Sequence, residues 1–195
     1  YEAYKLFSAD EDWSELNLYN TEPEKVTDFV VDASDIPSSL KKAVTVTLTG
    51  EWDSDAFNLL SMALGNNGGL FVTTNATLVT LDMSRIKVAE NTPLWRQGLK
   101  EYGIFNNCTA LEKVIMPTAE EAGHFTKLNK AFEGCTALRD IDLSLLTGAT
   151  DIEAAFKGTA IEKADLSGCT SLGSTVSAFE GCAALQLSLI HISEP

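Results

Sequence analysis

AFEGCTAL (131–138) returns as AFEGCAAL at 178–185, and two looser copies, FNNCTALEKVIMP (105–117) and FKGTAIEKADLS (156–167), fall into the same register. The phenylalanines of the four copies, Phe105, Phe132, Phe156 and Phe179, are spaced 27, 24 and 23 residues apart. A fainter copy, NATLVTLDMS (75–84), sets Leu78, Leu81 and Met83 on Leu138, Ile141 and Leu143. A period of this size belongs to chains built from stacked units, none of which can bury its apolar face alone. The expectation is an α/β repeat: a solenoid with a parallel strand stack.

Within each phrase the positions carry distinct tasks. In L-x-x-I-x-L the last two apolar residues lie two apart, on one side of a short strand. Leu111, Leu138, Ile161 and Leu185 lead the apolar triplets and, with the four phenylalanines, form the expected repeat core. A small or sulfur-bearing slot ahead of them holds Asn75, Cys108, Cys135, Thr159 and Cys182, placed to bond the backbone of the incoming turn. The Gly or Asn before that slot supplies the turn. The copy at Phe156 departs from the others, with Thr159 for Cys and one residue fewer before Ile161.

Composition narrows function. The 195 residues are 45% hydrophobic and 22% charged, enough for a sizeable core. Lys+Arg 14 against Asp+Glu 28 gives a net charge of −14. Such a surface repels nucleic-acid backbones and anionic lipid heads, so no nucleic-acid partner is expected. No apolar run reaches the roughly 20 residues of a membrane span, so no membrane insertion is expected either. Two histidines, His124 and His191, leave little for acid–base or zinc chemistry. No cofactor, metal or catalytic residue is expected, and the chain is read as no enzyme.

The charge is uneven. Residues 1–40 hold ten acidic and two basic residues, including Asp10-Glu11-Asp12. Residues 1–42 are therefore read as an acidic leader or inter-domain segment, with one strand at Asp28–Val31. Residues 43–104 form an entry unit and first weak repeat: a strand AVTVTLTG (43–50), then a helix capped by Asp53 or Ser54 with Phe57, Leu60 and Leu64 on one face. GNNGG (65–69) ends that helix as a turn and lacks the context of a phosphate loop. Residues 105–186 are the repeats proper. The last nine, LSLIHISEP (187–195), break with the rest and match one reading frame of a transposase sequencing adapter, so a non-native tail and a C-terminally truncated repeat array are expected.

A-F-x-G-C-x-x-L (131–138 and 178–185) and K-V-I-M-P (113–117) resemble the BspA-like leucine-rich repeat family, over roughly residues 43–186. The preceding strand–helix–TLVTLDMS segment looks like the entry unit of Bacteroidetes members. The resemblance implies a bacterial surface or secreted protein. It implies a non-catalytic extracellular or cell-surface adhesion module that binds a protein or glycan partner through the solenoid face. The alternative is an accessory repeat region of a larger secreted enzyme, such as one acting on carbohydrate.

Other chemistry is thin. Four cysteines invite a disulfide or a metal site, but three share one repeat slot and no paired ligand spacing occurs, so reduced, buried thiols are expected. Glu120, Glu121 and His124 read as a solvated loop. The acceptor patterns at Asn75 and Asn107 lie in or beside ladder positions and are set aside as glycosylation sites. One surface remains. Strand alternation points Lys113, Asp140 and Lys163 outward as one row, and Asp82, Ile115, Asp142 and Asp165 as another. The six charged residues of these rows are the candidate binding strip, in which Asp142 and Asp165 would be adjacent like charges.

Overall fold

The computed structural model describes residues 28–65, 75–96 and 102–186. The elements run β1 (Asp28–Asp32), β2 (Thr45–Trp52), α1 (Ser54–Ala63), β3 (Thr80–Val88), β4 (Trp95–Arg96), β5 (Tyr102–Gly103), β6 (Lys113–Ile115) and α2 (Ala119–Ala122). Four of the strands form a parallel sheet in the order β1-β2-β3-β6, with few helices beside it, an α/β arrangement; β4 and β5 pair antiparallel.

The sheet register explains its core. Leu81 of β3 is the register partner of both Val46 of β2 and Val114 of β6, and all three are buried. Val31 lies opposite Leu48, both buried, so residues 28–42, which the sequence reading placed in the leader, supply an edge strand and Leu40 to this core. The β2–β3 register slips after Asp82: Thr47 faces Asp82 but Thr49 faces Arg85, a bulge at Met83-Ser84. Asp53 caps α1, its Oδ1 accepting from the N–H groups of Asp55 and Ala56 at 3.0 and 2.9 Å. The helix presents Phe57 and Leu60 to the sheet and closes at Gly65, whose φ of +97° is in the left-handed region. The remainder of GNNGG, the acidic cluster at 10–12 and the tail 187–195 with His191 lie outside the described residues.

Beyond β6 the chain is mostly turns that bond one another at the repeat spacing. Phe105, Phe132 and Phe156 donate their N–H groups to Ala131, Ala155 and Ala178 at 3.0, 2.8 and 2.9 Å. On another arm Leu128 donates to Asp151 and Ile152 to Ser174. Left-handed backbone recurs in two registers: Asn107, Gly134, Gly158 and Gly181, and Lys130, Ala154 and Ser177. The four phenylalanine rings form one column, with centroids 5.3, 5.7 and 5.5 Å apart and planes within 14° of parallel. Phe57 meets the first ring edge-on at 6.5 Å and so joins the helix to the column.

The strand stack expected to continue through 140–143 and 163–166 does not. Lys113 and Asp140 form a single bridge, Leu143–Leu145 is a 3₁₀ turn, and no strand occurs at 163–166 among the described residues. Two local causes operate. Asp142 and Asp165 each draw in the N–H two residues ahead and turn the backbone there, whereas the same bond from Asp82 is absorbed inside the longer β3 as a bulge. The short copy between Phe156 and Ile161 also withdraws a residue from the ladder.

Candidate functional site

The candidate strip is exposed along most of its length, but its charges are not free alike. Lys113 Nζ and Asp140 Oδ2 are 2.8 Å apart with both side chains about half exposed, 48% and 60%. Lys163, expected to extend that row, has no ion pair among the described residues. The carboxylates of the second row are turned onto their own backbone. Asp82 Oδ1 accepts from the Ser84 N–H at 2.9 Å, inside the β3 bulge. Asp142 Oδ1 accepts from the Ser144 N–H at 3.0 Å and its hydroxyl at 2.6 Å. Asp165 Oδ1 accepts from the Ser167 N–H at 2.9 Å. The Ser167 side chain and backbone bonds hold the Asp165 carboxyl below the usual carboxylate range. Asp32 and Ser34 repeat the arrangement at 3.0 and 2.7 Å. The strip is thus a row of Asp-x-Ser turns as much as a charged face, and Ile115 between them is half-buried. The signal was present in the sequence as Asp-x-Ser at 32, 82, 142 and 165.

The repeat core lies beneath. Phe105, Phe132, Phe156, Leu111, Leu138 and Ile161 are buried, whereas Phe179 and Leu185 in the final copy are half-buried. The slot residues bond backbone as their position requires. Asn75, 1% exposed, donates Nδ2 to the carbonyls of Leu40 and Ala43 at 2.6 and 3.0 Å. Its Oδ1 accepts from the N–H groups of Thr77 and Leu78. Cys135 Sγ donates to the Phe105 carbonyl at 3.1 Å and Cys182 Sγ to the Phe156 carbonyl at 3.0 Å. Thr159, where Cys is missing, sends its hydroxyl to the Phe156 carbonyl at 2.8 Å. Cys169 uses a second register, bonding the Leu146 carbonyl at 3.1 Å. All four thiols are free; burial pushes Cys108 up to about 12 and raises Cys135 and Cys169. Asn107, by contrast, is exposed, at a φ of +58°.

Glu121 and His124 do not stand in open solvent. Glu121 Oε2 accepts from the Val88 N–H and His124 Nδ1 meets the Val88 carbonyl, each at 2.6 Å. The two side chains thus clamp α2 onto the end of β3, and Glu120 stays exposed. Among the described residues no three His, Cys, Asp or Glu side chains gather as a metal site, and no helix is long and apolar enough to cross a membrane.

One surface feature has no counterpart in the repeat phrase. Trp95, on β4, lies beneath Lys127, whose Nζ is 5.9 Å from the ring centroid. No family model matches the chain, and neither the curated proteins nor the solved structures contain a match to it.

Proposed function

We propose that the chain is a leucine-rich-repeat solenoid of the BspA-like kind. On this reading it serves as a non-catalytic adhesion or binding module at the cell surface or outside the cell, with a protein or glycan partner. The observation that supports this most is the phenylalanine column from Phe105 to Phe179, with in-register backbone bonds at the same spacing. Arrays of this kind offer long exposed faces at low stability cost, since each unit contacts only its neighbours. On this reading the Lys113–Asp140 pair, the Asp82, Asp142 and Asp165 turns and Lys163 belong to the binding face.

The test is to display the chain on beads and expose it to arrays of extracellular glycoproteins and glycans. Saturable binding to a member, without chemical change in the bound molecule, is the expected result. Turnover of a bound glycan, or no binding on either array, would reject the reading.

A further inference from the structure

A hollow of about 480 Å³ is lined by Asn91, Pro93, Trp95, Thr126, Lys127 and Thr150. It is a shallow depression open to solvent, so a ligand there would contact the protein with one face and keep the other in water. Acidic residues outnumber basic ones two to one in this chain, yet among the described residues the lining holds no carboxylate and one cation. The hollow is built where the arm carrying β4 meets the next two turns. Thr92 pairs with Phe125, Leu94 donates to the Lys127 carbonyl, and Thr150 donates to Thr126. Trp95 is half-buried, Lys127 is exposed, and its ammonium makes no ion pair among the described residues. Asn91 holds a left-handed turn at the rim and Thr150 is exposed.

We propose that this hollow is a binding subsite for a neutral pyranose of a glycan. An indole face packs against the apolar C–H face of a sugar ring, and Trp is enriched at interfaces where one side of the ring is apolar and the other wet. The amide of Asn91, the hydroxyl of Thr126 and the ammonium of Lys127 supply donors for sugar hydroxyls, and the Thr150 hydroxyl, which already donates to the Thr126 carbonyl at 3.1 Å, offers an acceptor. Lys127 shifts off the ring to donate to the ligand. With a single cation among the lining residues and no ion-pair partner set for a charged ligand, ring stacking and hydrogen bonds to hydroxyls select the occupant. The site shares no residue with the Asp-x-Ser turns and deepens the adhesion reading, on which it rests, by naming the partner class.

The experiment uses the full chain and three probes, lactose, cellobiose and N,N′-diacetylchitobiose, followed by saturation-transfer NMR and calorimetry. At least one should bind saturably, with little change between low and high salt. Trp95→Ala should weaken it at least tenfold and Lys127→Met threefold or more, with Trp95→Phe recovering part of the loss. If Trp95→Ala lowers the melting temperature, Lys127→Met and Trp95→Phe decide. Absence of binding by all three probes, or equal affinity in Lys127→Met and Trp95→Phe, would overturn the subsite. Array binding that persists in Trp95→Ala would show that the module binds elsewhere.

Discussion

Phe132 and Phe156 stack with ring centroids 5.7 Å apart and planes 9° from parallel, while the alanines before them, Ala131 and Ala155, are fully buried. Each ring is therefore a neighbour of two others and of both flanking turns. Phe132→Ala should cost about 3–5 kcal/mol in denaturant unfolding, the range for deleting a buried aromatic ring. Phe179→Ala should cost less, because Phe179 is half-buried and among the described residues has one ring neighbour, Phe156. Equal costs at the two sites would mean the column does not carry the stability.

The ring column was legible because the phrase repeats: a residue whose neighbours are its own equivalents can be found by self-comparison. Asn75 was legible for the same reason, since its slot is shared with Cys108 and Cys135. The strand face was only half legible. Alternation placed Asp142 and Asp165 outward, but a short polar side chain can bond its own backbone and end the strand that displays it. Trp95 was not legible at all: it lies outside the repeated phrase, although its arm joins the same backbone ladder, and its partner Lys127 lies 32 positions on.

The left-handed registers make a second test. Gly134 and Gly158 have φ of +75° and +73°, so a side chain at either pays for a conformation that costs about 1–2 kcal/mol. A Cβ at Gly134 would also collide with Asn107 Oδ1, whereas one at Gly158 meets nothing within 4 Å. Gly134→Ala should thus lower stability more than Gly158→Ala. Ala154→Gly, at a φ of +51°, should be near neutral, with strain relief offset by lost burial and added chain entropy. Thermal melts of the three variants give the order; Gly158→Ala proving the worst would contradict it.

The thiols set an alkaline limit. Burial raises Cys108 to about 12 and Cys135 in the same direction, whereas an unfolded cysteine ionises near pH ~8.5. Between these values the unfolded chain binds fewer protons than the folded one, so stability falls as pH rises from about 8.5 towards 12. Cys108→Ala should flatten that fall. Native alkylation should modify half-buried Cys182 before Cys108 and Cys135, and all four should react in denaturant. A stability that holds level from pH 8 to 10 in the unmodified chain would refute the linkage.

The Asp-x-Ser turns reverse the stability effect expected from charge alone. Were Asp142 and Asp165 adjacent like charges on neighbouring strands, replacing both with Asn would relieve repulsion and stabilise the fold. Instead each carboxylate accepts hydrogen bonds from the serine two residues ahead, Ser144 and Ser167. An amide oxygen is a weaker acceptor than a carboxylate, so the double Asn variant should melt lower than the parent at pH 7. The pH dependence follows from Asp165, whose folded carboxyl is held low chiefly by the Ser167 side chain. A carboxyl lowered on folding contributes stability above its unfolded value of about 3.9 and loses it as pH falls through the lowered folded value. Asp165→Asn alone should therefore remove part of the acid-side loss of stability. Melting curves from pH 2 to 7 on both variants measure this; a higher melting temperature for the double variant at pH 7 would restore the repulsion account.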